Sequence, residues 1–333
     1  MERTLFIGHA SMDRGSTMKK RLFLTSLLII MGVTSVNAAE IIYTDPYNES
    51  PYQSDQDNLT NTGRISEGTT TAPPASIVTM DGQVSETPVK AISVEAMYSD
   101  NIQTYNIPIS YGFPLSLTGN KELMNFKLVI PYTSREVGTL SDSGLGDISV
   151  TTNYLIRFPQ LLLDTKLVIK TPTGEVEDAD VPLGTGSTDV GLYVNGTWYL
   201  DKLILKGGLG YGYNGDYDQS QISTKVLYGD EYLISGGADY KINDTMKAGG
   251  LFVYKSRAED EFESAGTTMG YSPGMNTLDF IPNFTYFYSK YNVELIASAT
   301  IPVMDSWNSD KGFEPSYDPD RSMSFSVSAS KPF

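Results

Sequence analysis

Leu203-Ile204-Leu205-Lys206-Gly207-Gly208-Leu209-Gly210-Tyr211-Gly212-Tyr213 decides the fold. In an extended chain Leu203, Leu205, Leu209 and Tyr211 share one face, and Lys206, Gly208, Gly210 and Gly212 share the other. Alternation over a run this long marks a strand with two different surroundings. The glycines do not form a nucleotide loop, because no helix or βαβ unit follows them. Only Leu200-Asp201-Lys202 separates this strand from the one before it, while residues 214–230 separate it from the next.

The same period extends in both directions. Ile107, Ile109, Tyr111 and Phe113 alternate with Asn106, Pro108, Ser110 and Gly112; Val190, Leu192, Val194 and Trp198 alternate with Asp189, Gly191, Tyr193, Asn195 and Thr197; Val293, Leu295, Ala297 and Ile301 alternate with Glu294, Ser298 and Thr300. The pattern predicts twelve strands at 91–100, 103–114, 125–133, 147–157, 160–171, 187–199, 203–213, 231–242, 246–256, 277–287, 291–303 and 321–333. From the fourth strand on, the connections alternate. Phe158-Pro159, Leu200-Asp201-Lys202, Asn243-Asp244-Thr245 and Tyr288-Ser289-Lys290 are short, whereas 172–186, 214–230, 257–276 and 304–320 are long. Tight periplasmic turns, long outer loops and an even strand number describe an all-β, transmembrane, antiparallel up-and-down β-barrel. The first hairpin fits less well: near Asn101-Ile102 the connection is short where a long one is expected, and 115–124 is long where a short one is expected.

The last strand sets Met323, Phe325, Val327, Ala329, Lys331 and Phe333 against five serines and ends on Phe333. That terminus resembles the signal read by the outer-membrane assembly machinery, with Pro332 as a departure because proline cannot donate to a ladder. Tyr98, Tyr132, Trp198, Tyr213, Tyr240, Tyr254, Tyr286 and Tyr291 fall near predicted strand ends. Rings with a wet tip favour the membrane interface.

Upstream, Met18-Lys19-Lys20-Arg21, the apolar run Leu22 to Val33 and Val36-Asn37-Ala38 have the order of a secretory signal peptide, and Met18 reads as its start. Residues 1–38 are therefore assigned to the leader and what precedes it. The run is too short for a spanning helix, which needs about 20 apolar residues. Residues 39–90 are polar and aperiodic, and read as a disordered extension or as a plug in the barrel mouth. Residues 91–333 form the barrel. Without 1–38, 19 basic residues face 38 acidic ones, a formal charge of −19 that opposes nucleic acid and anionic lipid.

Cysteine is absent and the single histidine, His9, precedes the leader, so thiolate and imidazole chemistry are excluded downstream. Gly270-Tyr271-Ser272-Pro273-Gly274 matches G-x-S-x-G, but it falls in a predicted loop with no histidine base. No cofactor is expected and enzymatic activity is not. Acidic clusters at Asp216 and Asp218, at Glu259, Asp260, Glu261 and Glu263, and at Asp305, Asp310, Glu314, Asp318 and Asp320 lack EF-hand spacing. They read as solvated loops, with divalent bridging to lipopolysaccharide as the alternative.

Hydrocarbon demands an internal partner for every backbone polar group, so the polar face must turn inward. Lumen-lining candidates are Asp147, Asp164, Lys166, Lys170, Asp189, Lys206, Glu231, Asp239, Lys247, Asp279 and Glu294, with Lys255 beside them. Both signs occur, so the wall reads either as a mixed-charge passage or as ion pairs that fill a narrow barrel.

Three stretches carry a family resemblance: Gly144-Leu145-Gly146-Asp147-Ile148-Ser149-Val150, Lys170-Thr171-Pro172-Thr173-Gly174-Glu175, and Leu183-Gly184-Thr185-Gly186-Ser187-Thr188-Asp189-Val190-Gly191-Leu192. In order and spacing they resemble the outer-membrane transporter family named for the MetA pathway of phenol degradation. The resemblance implies a Gram-negative outer-membrane barrel passing small, often aromatic or apolar molecules. It implies no substrate residues. Asp147 and Asp189 then sit near the external rim, where they cap loop amides or bind a cation or solute. The expected function is passive diffusion of a small-molecule solute, with outer-membrane lipid, lipopolysaccharide and the assembly machinery as partners. The alternative is a non-conducting structural or adhesive barrel acting through its acidic loops.

Overall fold

The computed structural model describes residues 83–99, 102–137, 140–174, 176, 183–219, 224–264, 267–308, 321 and 323–332. The leader, most of the 39–90 extension and Phe333 lie outside the described residues.

The described strands are β1 (Val89–Tyr98), β2 (Ile102–Leu115), β3 (Lys121–Val137), β4 (Leu140–Leu145), β5 (Ile148–Arg157), β6 (Leu161–Thr171), β7 (Asp189–Leu200), β8 (Leu203–Tyr213), β9 (Asp216–Gln219), β10 (Thr224–Leu227), β11 (Glu231–Asn243), β12 (Met246–Arg257), β13 (Asp260–Ser264), β14 (Thr267–Ser272), β15 (Gly274–Tyr288), β16 (Val293–Asn308) and β17 (Ser324–Pro332). A 13-stranded sheet runs β2-β1-β17-β16-β15-β12-β11-β8-β7-β6-β5-β3-β4, and a further β2–β3 pairing closes it. β4 pairs only with the outer part of β3, so the closed wall has twelve strands. β17 returns antiparallel to β1, from Ala91↔Pro332 to Tyr98↔Phe325. Closure leaves no edge with unpaired amides, which is the condition for spanning hydrocarbon with strands.

The twelve predicted strands are the twelve wall strands, with ends shifted by a few residues. Register explains the alternation. In β6, Leu167 and Ile169 are exposed while Asp164, Lys166, Val168 and Lys170 are buried. In β8, Leu205, Leu209 and Tyr211 face out beside Ile234 and Tyr232 of β11. The exposed apolar side chains therefore share the outer face, and the polar alternates turn to the interior.

The misfit at the first hairpins resolves once the strands are longer than predicted. β2 ends at Leu115 and β3 starts at Lys121. Glu122 accepts the Leu117 and Thr118 amides at 3.0 and 2.6 Å, which closes that connection as a tight turn. β3 then runs 17 residues and projects outward as a hairpin with β4. The first outer turn is short, as its sequence says: Ser99 N–H donates to the Ile102 carbonyl at 2.9 Å.

The long outer connections are not plain loops. β9, β10, β13 and β14 form a separate four-stranded sheet, in the order β14-β13-β10-β9, built on the β8–β11 and β12–β15 hairpins. Tyr217, Val226 and Tyr228 pack with Val176 and Phe262 on it. The Gly270–Ser272 part of the G-x-S-x-G match is thus strand, a correction to its reading as loop. β14 pairs with β13 at Glu261↔Tyr271, so no strand-to-helix elbow exists there.

Aromatic pairs sit at both ends of the wall. Tyr286, Tyr288 and Tyr291 form a chain with centroid spacings of 6.2 and 5.2 Å at the short-turn end, and Tyr211 meets Tyr232 at 5.3 Å near the other. Two interfacial girdles separated by an apolar outer band are what a bilayer selects.

Candidate functional site: the inner wall of the barrel

The three sequence motifs meet at the long-loop end and form one clamp. Asp147 stands just before β5. Its Oδ1 accepts the Thr173 and Gly174 amides at 3.1 and 2.9 Å, and its Oδ2 accepts the Thr185 amide and hydroxyl at 2.7 and 2.9 Å. Asp189, at the start of β7, accepts the Ser187 hydroxyl at 2.7 Å and the Gly215 amide at 3.1 Å. Lys170 lies between the two carboxylates, 2.6 Å from Asp189 and 3.8 Å from Asp147. Gly186 has φ of 71° and lies under the Tyr217 ring, so the conformation and the space both demand glycine. A Cβ at Gly184 would collide with the Asp147 carboxylate. The motif residues thus tie residues 172–174 and 185–188 to the rim, with the two carboxylates engaged by protein amides, hydroxyls and Lys170.

Below the clamp the inner charges are grouped. Asp164 accepts the Asn153 amide at 3.0 Å and feels both Lys166 and Lys127. Lys166 is 2% exposed and lies 5.9 Å from the Tyr193 ring centroid. Lys206 is 2.5 Å from Asp239, and Lys255 is 3.9 Å from Glu231. Asp279 is held by Arg321 at 2.8 Å, and Arg321 also pairs with Asp305. Glu294 is buried beside Ser330 of β17. Lys247 lies directly opposite Lys241. By strand parity all eleven sequence candidates fall on the face opposite the exposed apolar residues. Asp147, Lys170 and Asp189 come together; Lys206, Asp239 and Lys247 form a second group; the others are spread along the wall.

Several inner residues escaped sequence reading. Asn106 donates to Glu95 at 2.9 Å across β1 and β2, and Asn125, Thr151, Arg135 and Arg157 are also buried inward. Asparagine and threonine carry no charge to flag them. Arg321 could have been suspected, as the basic residue that ends the acid-rich run after Asp305.

The two sides of the interior differ. On one, Leu123, Leu155 and Leu162 project inward from β3, β5 and β6 near the short turns and pack with Val84, which precedes β1. Leu123 and Leu155 are 0% exposed. Glu86 pairs with Lys121, whose hydrogen bond and charge hold the Glu86 carboxyl below its ordinary value of 4.5. Gln83 to Pro88 is thus a strap across this side of the mouth. On the other side, Asn195, Thr197, Lys206, Lys247, Asn283 and Ser298 are only half-buried. Glycines keep that wall low. A Cβ at Gly210 would strike the Tyr193 ring and one at Gly208 would strike Asn195, so both side chains lie flat along the strands instead of crossing the interior. Higher up, Leu233, Leu251, Val253 and Ile281 form an inward apolar patch. Among the described residues no cluster has the makings of a metal site.

A closed twelve-stranded wall, apolar outside and polar inside with aromatic girdles, defines an outer-membrane β-barrel. The family described as the MetA-pathway of phenol degradation matches residues 92–298, and the chain belongs to it. Among solved structures, an outer membrane channel from Pseudomonas putida F1 shares the fold with a TM-score of 0.60 at 14% identity, covering 79% of this chain and 100% of that one. KdgM porin aligns less closely, with a TM-score of 0.37 at 10% identity over 72% of this chain and 96% of that one. No curated protein matches.

Proposed function

We propose that the protein is an outer-membrane channel through which small solutes, aromatic and apolar compounds among them, diffuse passively, and that it is not an enzyme. One observation carries this reading: the half-buried polar strip along β7, β8, β12, β15 and β16, where Tyr193 and Asn195 lie over glycines of the neighbouring strand instead of over larger side chains. The strip and the nearby lumen candidates, Lys206, Asp239 and Lys247, would line the passage. The inward patch of Leu233, Leu251, Val253 and Ile281 would give an apolar solute a contact on the way. Absence of histidine after His9 supports the non-enzymatic half of the reading.

A second reading has a specific observation behind it. The four-stranded outer sheet carries acidic residues beyond the membrane, and most inner charges are paired. Both suit a filled barrel that acts through its outer surface. Swelling of liposomes in isosmotic solutions of graded solutes separates the two. A channel swells them at rates that fall with solute size, and adds small aromatics to what passes. A filled barrel leaves them indistinguishable from protein-free liposomes.

A further inference from the structure

Lys90 and Lys331 stand side by side on the lipid-facing surface where the first and last wall strands meet. In β1, Ala91 is buried and Ile92 is exposed, so Lys90 shares the outer face with Ile92. In β17, Ser328 and Ser330 are buried inward, so Lys331 shares the outer face with Phe325. The register Ile92↔Lys331 makes Lys90 and Lys331 diagonal neighbours on that face, a spacing of about 7–8 Å. Every other basic residue of the wall strands has the parity of the inner face. Among the described residues neither lysine has an acidic partner, and Glu95 of β1 and Glu294 of β16 are buried on the inner side.

Aromatic rings bracket the pair at the short-turn end. Lys90 is opposite Tyr111, whose ring lies 6.0 Å from that of Phe113. On the other side Glu294↔Ser330 sets Val293 beside Lys331, and Val293 is opposite Tyr288 of the Tyr286–Tyr288–Tyr291 chain. The lysines therefore lie at the inner girdle, where a lipid-facing cation costs little and its stem can carry the ammonium group to the headgroups. Towards the midplane the same seam is low. Ala329, 1% exposed, lies between Leu295 and Val94, and Val327 lies between Ala297 and Ala96. Exposed Ile107 and Ile109 of β2 and exposed Phe284 of β15 stand on either side. Short side chains between taller ones leave a furrow that runs down to the lysines.

We propose that this seam seats an anionic glycerophospholipid of the inner leaflet, with its phosphate on Lys90 and Lys331 and an acyl chain in the furrow. Two adjacent cations with no acid on the same face complement a phosphate, even in a chain that is acidic as a whole. The short turns are periplasmic, and the leaflet on that side is phospholipid. The lipid lies across the β1–β17 joint, so its binding strengthens the pairing that closes the barrel. None of this depends on whether solutes pass.

The test is native mass spectrometry of the protein purified from outer membranes and titrated with phosphatidylglycerol or with phosphatidylcholine of the same acyl chains. The expected result is phosphatidylglycerol retained several-fold more strongly, loss of that preference in K90Q/K331Q and its survival in K90R/K331R. K290Q, which removes an exposed lysine from the neighbouring turn, should keep the preference. Phosphatidylglycerol should also raise the temperature at which the folded band is lost on gels, and raise it less as salt increases. Equal retention of the two lipids by the unaltered protein overturns the proposal, and is what lysines serving only the residues after Pro332 would give. A preference that K90Q/K331Q leaves unchanged overturns it too. Should the double variant fail to fold, K331Q alone and the salt series on the unaltered protein decide the matter: a preference that neither one weakens contradicts the proposal.

Discussion

Asp147 shows how one side chain fixes a large connection. Its carboxylate is 4% exposed and takes four hydrogen bonds from Thr173, Gly174 and Thr185, residues that lie far along the chain from it. Asp147→Ala leaves the three amides without that acceptor. The Thr173 amide can turn to water and the other two are part-buried, so at roughly 1–3 kcal/mol for a buried group left unsatisfied the expected loss is about 2 kcal/mol. Urea titration of the folded gel band reads it: the midpoint should drop, whereas an unchanged midpoint would show that the clamp carries no weight. The residues of this clamp were legible in the sequence as a spaced set of glycines and aspartates, but their partners were not. Hydrogen bonds between segments 26 to 38 residues apart depend on how the chain returns, and no local pattern records that.

At the scale of elements, the wall strands could be read because each has a lipid side and a wet side, and the contrast repeats every second residue. β9, β10, β13 and β14 could not. They are four to six residues long, rich in Asp, Glu, Ser and Thr, and both their faces are outside the membrane. Their order comes from the hairpins beneath them and from the Tyr217–Val226–Tyr228 cluster. β3 runs past the predicted end at residue 133 because Ser134 and Arg135 leave the apolar band while staying paired to β2. The strap before β1 is a third case. A lone Val84 in a polar stretch gives no period, yet it covers three inward leucines. Val84→Asp would set a carboxylate against that collar and expel the strap. Single-channel conductance should rise in this variant with the folded band intact; an unchanged conductance would mean that the strap does not narrow the path. Acid should act in the same direction. The Glu86 carboxyl is held below its ordinary value by Lys121, so the fastening is complete at neutral pH and is lost as pH falls through that lowered value. The pair is exposed, so this effect is small.

For the whole molecule, the barrel reconciles a strongly acidic chain with a mixed inner wall. The surplus carboxylates lie largely in the outer connections and the extension, while inside the wall lysines and arginines meet acids in groups such as Lys170 with Asp147 and Asp189, and Arg321 with Asp279 and Asp305. Breaking such buried pairs costs about 3–5 kcal/mol, so these groups hold the wall and the connections together whether or not solutes pass. What separates a filled barrel from a conducting one is the low, glycine-lined side of the interior. The most direct test of that claim is the current through single copies of the protein in a planar bilayer. A conducting barrel gives discrete, reproducible steps at constant voltage, reduced by small aromatic solutes that enter the path. A heat-modifiable, correctly folded barrel that inserts and carries no current, with or without the strap, would contradict that claim.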